Sequence, residues 1–227
     1  VTAGADAARA GGGGRPKAIL FDWDNTLVDS WPVIHEALTA TLVSFGLEPW
    51  TLDETRRRVA ESMRNSFPDL FGDRWEEAGK VFYQRFGAIH LKSLRPLPGA
   101  ERMLAELNEA GVYLGVVSNK KGEYLRSEAA HLGWDVYFGR IVGAFDAERD
   151  KPAPAPVEMA LAGSGVRPGN QVWFAGDAGI DLECAVNAGC VPVLVRDSAP
   201  EPGEFRAHPP AWHFAECLAL SNHVRRL

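Results

Sequence analysis

The chain has 227 residues, enough for one sizeable core or for one core with a small accessory domain. Hydrophobic residues make up 46% and charged residues 24%, which is ordinary for a soluble globular protein. The formal charge of -6 argues against nonspecific nucleic-acid binding, which needs a basic surface, and no apolar run approaches the roughly 18 residues that cross a bilayer.

Residues 1–14 are rich in Ala and Gly and lack the apolar centre of a secretory signal; they read as a flexible tail outside the fold. Ala18-Ile19-Leu20-Phe21 is the first short continuous apolar run, the pattern of a strand buried on both faces. Residues 31–92 then carry helical patterns and no strand. Trp31, Ile34, Leu38, Leu42 and Phe45 recur at three- and four-residue steps, and Trp75, Ala78, Phe82, Phe86 and Ile89 form a later stripe. Between them, Thr51 and Glu54 read as a capping box opening a helix, on which Arg56, Arg57 and Arg58 make a solvated face.

Arg95-Pro96-Leu97-Pro98-Gly99 punctuates the return to alternation. Further strand-like runs lie at 112–117, 140–144, 172–175 and 191–195. Helical stretches at 100–110 and 180–188 stop at Gly111 and Gly189. Strands alternating with helices predict a doubly wound α/β fold, a Rossmann-like parallel sheet built from residues 15–30 and 93–227, with the helical segment 31–92 inserted after the first strand. A short structural helix is expected near 215–222. Cys184, Cys190 and Cys217 suit neither a disulfide framework nor a zinc site and fit a reducing cytoplasm.

Ligands of an open parallel sheet bind beyond the carboxyl ends of its strands. Asp22 and Asp24 follow the first strand directly, and residues two apart in an extended segment point the same way. At roughly 4 Å and an effective dielectric near 20, two carboxylates repel by about 4 kcal/mol. A cation between them relieves this, as does a proton on one of them. An ionised Asp serves as nucleophile and a protonated one as general acid; a turn or helix cap is the competing reading.

Asp22-Trp23-Asp24-Asn25-Thr26-Leu27-Val28-Asp29-Ser30 resembles the first motif of the haloacid dehalogenase superfamily, DxDGT(L/V), with Asn25 in place of the usual Gly. Asn tolerates unusual backbone angles, so the departure is mild. In the phosphatases of that superfamily the first Asp attacks phosphorus and the second is acid/base, which maps onto Asp22 and Asp24; the dehalogenases lack the second. The later motifs follow in family order. Ser118, with Asn119 beside it, matches the hydroxyl of the second motif. Lys151 in Lys151-Pro152-Ala153-Pro154 matches KPxP, and Asp177 and Asp181 match GDxxxD. Taken one at a time, each of these also reads as a turn, a loop lysine or a helix cap.

The resemblance implies a phosphatase dependent on Mg2+ that works through an aspartyl phosphate on Asp22. Asp22, Asp177, Asp181 and the backbone carbonyl of Asp24 would surround the ion, and Thr26, Ser118, Asn119 and Lys151 would meet the phosphoryl group. The helical insertion sits where the superfamily places its type-one cap, and Arg64 resembles a cap residue that reaches substrate in some relatives. Cap position and the stretch Thr26 to Ser30 are similar to phosphoglycolate phosphatases. The expected partner is a small phosphorylated metabolite, with neither nucleic acid nor membrane involved, for a monomer or homodimer in the cytoplasm. A sugar phosphomutase and a noncatalytic binding relative are the alternatives.

Overall fold

The computed structural model describes residues 14–59 and 63–227, without the side chains of Arg64 and Asn65. The tail reading for residues 1–14 therefore lies outside the described residues, Gly14 excepted.

β1 (Ala18–Phe21) is buried at every position, as a continuous apolar run requires of a strand covered on both faces. It pairs in parallel with β2 (Tyr113–Lys121) on one side and β4 (Val172–Gly176) on the other. β3 (Arg140–Ala144) lies outside β2; β5 (Val191–Val195) and then β6 (Trp212–Phe214) lie outside β4. The described strands thus form a six-stranded parallel sheet ordered β3-β2-β1-β4-β5-β6. The chain winds outward from β1 to β3, then returns to the far side of β1 for the remaining strands. That reversal opens a crevice beyond the carboxyl ends of the central strands.

Ile19 and Phe21 face one layer, where they meet α5 (Ala100–Glu109), α6 (Gly122–Leu132) and α9 (Cys217–Val224). Ala18 and Leu20 face the other, against α7 (Ala155–Leu161) and α8 (Gly179–Asn187). Full burial of a side chain such as Ile19 or Phe21 contributes about 1.5–3 kcal/mol, so the central strand anchors both layers.

Between β1 and β2 run α1 (Trp31–Ser44), α2 (Leu52–Arg58), α3 (Met63–Phe71) and α4 (Trp75–Ser93). α1 starts with Pro32 in its first turn, where a missing N–H costs nothing. α2 opens on the expected capping box: the Glu54 N–H donates to Thr51 Oγ1 at 3.2 Å and the Thr51 N–H donates to Glu54 Oε2 at 2.9 Å. Leu38, Leu42, Phe67, Phe71 and Ala78 make a separate core for these helices. Val33, Ala37 and Phe86 pack on Tyr124 of α6 and join the segment to the sheet layer. Arg56, Arg57 and Arg58 are exposed; Arg56 and Arg58 pair with Asp53 and Glu54 at the surface, where such pairs contribute little. Among the described residues no helix is long and apolar enough to cross a membrane.

Two elements differ from expectation. β2 continues to Lys121, past the apolar run ending at Val117, with a register shift against β3 between those residues. Its polar end is buried by the crevice rather than by an apolar layer, so hydrophobicity stops before the strand does. β6 lies where the sequence predicts no strand; with three residues it is too short to show a period.

Candidate active site

Asp22 continues the β1 ladder, its N–H donating to Ala175 O of β4 at 2.9 Å. The chain then turns sharply. Asn25 adopts φ 60°, its N–H donates to Val28 O at 2.7 Å, and its side-chain oxygen accepts from the Ser30 N–H at 3.2 Å. The left-handed angle explains why Asn can stand where Gly is usual. Trp23, between the two acids, is fully buried and meets Trp134 edge-on with ring centroids 5.8 Å apart.

Asp22 meets two partners from distant stretches. The Lys151 ammonium donates to Asp22 Oδ1 and to Asp181 Oδ1, each at 2.7 Å. Carboxylate oxygens of Asp22, Asp177 and Asp181 lie within 4.8 Å of one another. Burial pushes Asp22 up to about 7; Lys151 pulls against this, and the Asp181 and Asp24 charges push with it. Burial, then Asp181 and Asp22, also raise Asp177 well above the usual carboxylate range. Burial works against the charge on Lys151, but Asp181 and Asp22 together raise its pKa and hold it protonated.

One ammonium among three carboxylates, Asp22 and Asp181 buried and Asp177 half-buried, leaves the cluster short of positive charge. The donor set is all oxygen, which suits a hard divalent cation such as Mg2+. Asp181 is committed on both sides, since Oδ2 accepts the Ala178 N–H at 3.1 Å while Oδ1 faces Lys151. Its carboxylate folds back over Gly176, where an added Cβ would come within 2.2 Å of it. That glycine is therefore demanded by a close approach, not by its φ.

The other expected residues gather here too. Ser118 is buried, and its Oγ accepts the Lys120 N–H at 3.2 Å. Asn119 brackets the Lys151 backbone: Oδ1 accepts the Lys151 N–H at 3.0 Å and Nδ2 donates to Lys151 O at 3.3 Å. Its amide is thus spent on fixing the lysine. Thr26 is fully buried, its hydroxyl 3.4 Å from Asp177 Oδ1, and braces that acid from behind. Arg64 belongs to α3, but its side chain lies outside the described residues.

Above the acids lies a cavity of about 410 Å³, to which Asp22, Asp24, Ser118, Asn119, Lys151, Asp177 and Asp181 contribute. Its opposite wall is apolar and aromatic, with Trp31, Phe67, Phe82 and Phe86 from the inserted helices. Its rim includes Arg196, paired with Glu204 through two bonds of 2.8 and 2.6 Å.

Sequence reasoning missed a set of polar residues beside Asp24. The Lys120 ammonium lies 2.7 Å from Asp24 Oδ1 and donates to Glu128 Oε2 at 2.6 Å. Lys120 and Glu128 are both buried. The remaining signal was a Lys directly after Ser118-Asn119, too common a residue in a loop to single out.

Comparison with known proteins gives a consistent result. The haloacid dehalogenase-like hydrolase family matches residues 19–195. A phosphoglycolate phosphatase of Xylella fastidiosa is 32% identical over 178 residues, covering 77% of this chain and 77% of that protein. An N-acetylmuramic acid 6-phosphate phosphatase of Pseudomonas aeruginosa is 30% identical over 199 residues, covering 86% of this chain and 88% of its own. A haloacid dehalogenase-like family hydrolase from Streptococcus pneumoniae shares the fold with a TM-score of 0.78 at 22% identity, over 92% of this chain and 98% of that one.

Proposed function

The chain belongs to the haloacid dehalogenase-like hydrolases and is a phosphatase of that family, and from that premise we propose that it hydrolyses a small-molecule phosphate monoester through an aspartyl phosphate formed on Asp22, with Mg2+ as cofactor. The observation that carries this reading is the convergence of Asp22, Asp177 and Asp181 from two stretches of chain around the Lys151 ammonium.

Asp22 attacks phosphorus, and Lys151 first holds the carboxylate in place and then faces the charge spreading over the phosphoryl oxygens. Ser118 offers its hydroxyl to one of those oxygens. Asp24 gives a proton to the leaving oxygen and then takes one from the water that attacks the phosphoryl group, which frees Asp22. Asp22, Asp177 and the backbone carbonyl of Asp24 would hold the magnesium ion. When bound, it offsets the negative charge that otherwise opposes approach of an anionic ester. Asp181, occupied by Lys151 and the Ala178 N–H, serves mainly to aim the lysine.

Residues 31–92 act as the cap that closes over the site, excludes water and selects the leaving group, Arg64 among its contacts. The substrate class is phosphoglycolate-like, the substrate named for several relatives. The setting is the cytoplasm, with the protein as monomer or homodimer. The apolar wall and the size of the cavity leave room for a leaving group larger than glycolate, so a sugar acid phosphate belongs in the panel.

The test is phosphate release from phosphoglycolate, N-acetylmuramic acid 6-phosphate and p-nitrophenyl phosphate, with magnesium and with a chelator. Turnover should need magnesium, and Asp22→Asn should abolish it on every substrate. An Asp22→Asn protein that keeps magnesium-dependent turnover overturns the reading.

A further inference from the structure

Behind the acids lies a second polar cluster, built from four elements. Glu128 of α6 is 1% exposed and accepts three hydrogen bonds. Lys120 Nζ and the Trp23 Nε1–H donate to its Oε2 at 2.6 and 2.7 Å, and the His90 Nδ1–H donates to its Oε1 at 2.9 Å. Lys120 reaches on from Glu128 to Asp24 Oδ1 at 2.7 Å. His90, near the end of α4, is clamped between Phe86 and Tyr124, with ring centroids 5.1 and 5.0 Å away.

The cluster has one open end. The side chains of Lys120, Glu128 and His90 are 5%, 1% and 5% exposed, whereas that of Asp24 is 18% exposed and lines the cavity. A buried ion pair is a weak device for stability, because a well-packed apolar pair of the same volume often does as well. A fully engaged buried carboxylate does fix geometry. Here the geometry being fixed is that of one carboxylate at the cavity floor.

We propose that Lys120 is a positioning residue for Asp24, that Glu128 holds Lys120 in place, and that His90 ties this arrangement to the inserted helices. The proposal rests on Asp24 being the acid/base of the reaction. The same hydrogen-bond set includes Trp23, so the peptide between the two acids and the lysine beside the second acid share a single anchor. A shift of α4 relative to α6 would loosen Glu128 and, through Lys120, the aim of Asp24.

Leaving-group dependence tests this. p-Nitrophenolate departs without a proton, whereas an alkoxide needs one. Lys120→Met should lower kcat/KM on an alkyl phosphate by about 100-fold, the scale of one general acid. On p-nitrophenyl phosphate kcat/KM should stay near that of the unaltered protein. Hydrolysis of the aspartyl phosphate still needs a base, so a burst of p-nitrophenol should precede slow turnover. His90→Ala should show the same pattern at smaller size. Should Lys120→Met fail to fold with Glu128 unpaired, the double variant Lys120→Met/Glu128→Gln removes both charges and must give the same selectivity. An equal loss on both esters without a burst, while Asp24→Asn remains selective, overturns the proposal alone. An Asp24→Asn protein with no leaving-group selectivity overturns the acid/base reading beneath it.

Discussion

Replacing Asp22 by Asn should do two opposite things: end catalysis and steady the metal-free fold at alkaline pH. Burial, the leading cause, pushes Asp22 from its ordinary 3.8 up to about 7 in the folded protein. A carboxyl group whose pKa rises on folding binds more protons in the folded state between those values. Its contribution to stability is therefore greatest at low pH and falls as pH climbs through the folded pKa. The slope reaches about 1.4 kcal/mol per pH unit, so from pH 5 to pH 8 the metal-free protein should lose about 2–3 kcal/mol through this group. Asp177, also raised, adds a loss of the same sign.

Asn at position 22 has no such titration. Urea unfolding in chelator at pH 5, 6, 7 and 8 should give a shallower fall for Asp22→Asn than for the unaltered protein, by about 2–3 kcal/mol across the range. Magnesium binds the ionised acids, so it should recover stability more at pH 8 than at pH 5, by about 2.7 kcal/mol at a hundredfold excess over Kd. The variant should lose most of that gain. Parallel pH profiles for the two proteins in chelator would refute the argument, because they would mean that burial does not raise Asp22 on folding against the pull of Lys151.

Gly176→Ala should destabilise the protein by about 3 kcal/mol, since the new methyl meets Asp181 at 2.2 Å and displaces a carboxylate paired with buried Lys151; urea unfolding reads this directly, and an unchanged midpoint would show that Asp181 can yield freely. Arg64→Ala should raise KM for an anionic substrate by about tenfold, the loss of one charge-assisted contact. Met63 and Ser66 on either side of Arg64 line the cavity, which puts this turn of α3 at its wall. Steady-state kinetics that match the unaltered protein would remove Arg64 from substrate recognition.

The parts of the fold that were legible in the sequence are those whose cause is local. β1 and β5 show as apolar runs because both of their faces are covered, and the capping box at Thr51 and Glu54 needs only four consecutive residues. Asp22, Ser118 and Asp177 were legible because each stands at the end of a strand, where an open sheet places its ligands, whereas Lys151 and Asp181 stood out only through the KPxP and GDxxxD resemblances. Asn25 could be read as a backbone choice, and its φ of 60° agrees. The Glu128 cluster was not legible. In α6 it is one polar residue among Glu123, Arg126 and Ser127, with nothing to mark it as the one turned inward. Its burial depends on Lys120, Trp23 and His90 arriving from three other elements, the farthest of them 105 residues away. The bonds between the Asn119 amide and the Lys151 backbone were not legible for the same reason, since the two residues stand 32 apart in the chain.

Asp22 and Asp24 are chemically identical and two residues apart, so any difference in what they do must come from their surroundings. Each is matched to its own buried lysine, and each lysine is shared with a further acid, Asp181 for Lys151 and Glu128 for Lys120. The sharing acid differs in kind. Asp181 stands within the carboxylate cluster, so Lys151 is held among charges that also invite a cation. Glu128 stands behind the sheet end, bonded to an indole and an imidazole, with no third acid near enough to complete a metal group among the described residues. Extended backbone sends both aspartates toward the crevice and Trp23 away from it, into the same Glu128. The pair is thus divided between a charge-rich centre suited to an anionic phosphoryl group and a closed hydrogen-bonded set suited to holding one carboxylate still. A single Asp with either neighbourhood would supply half of the chemistry, and the intervening tryptophan fixes the spacing between the halves.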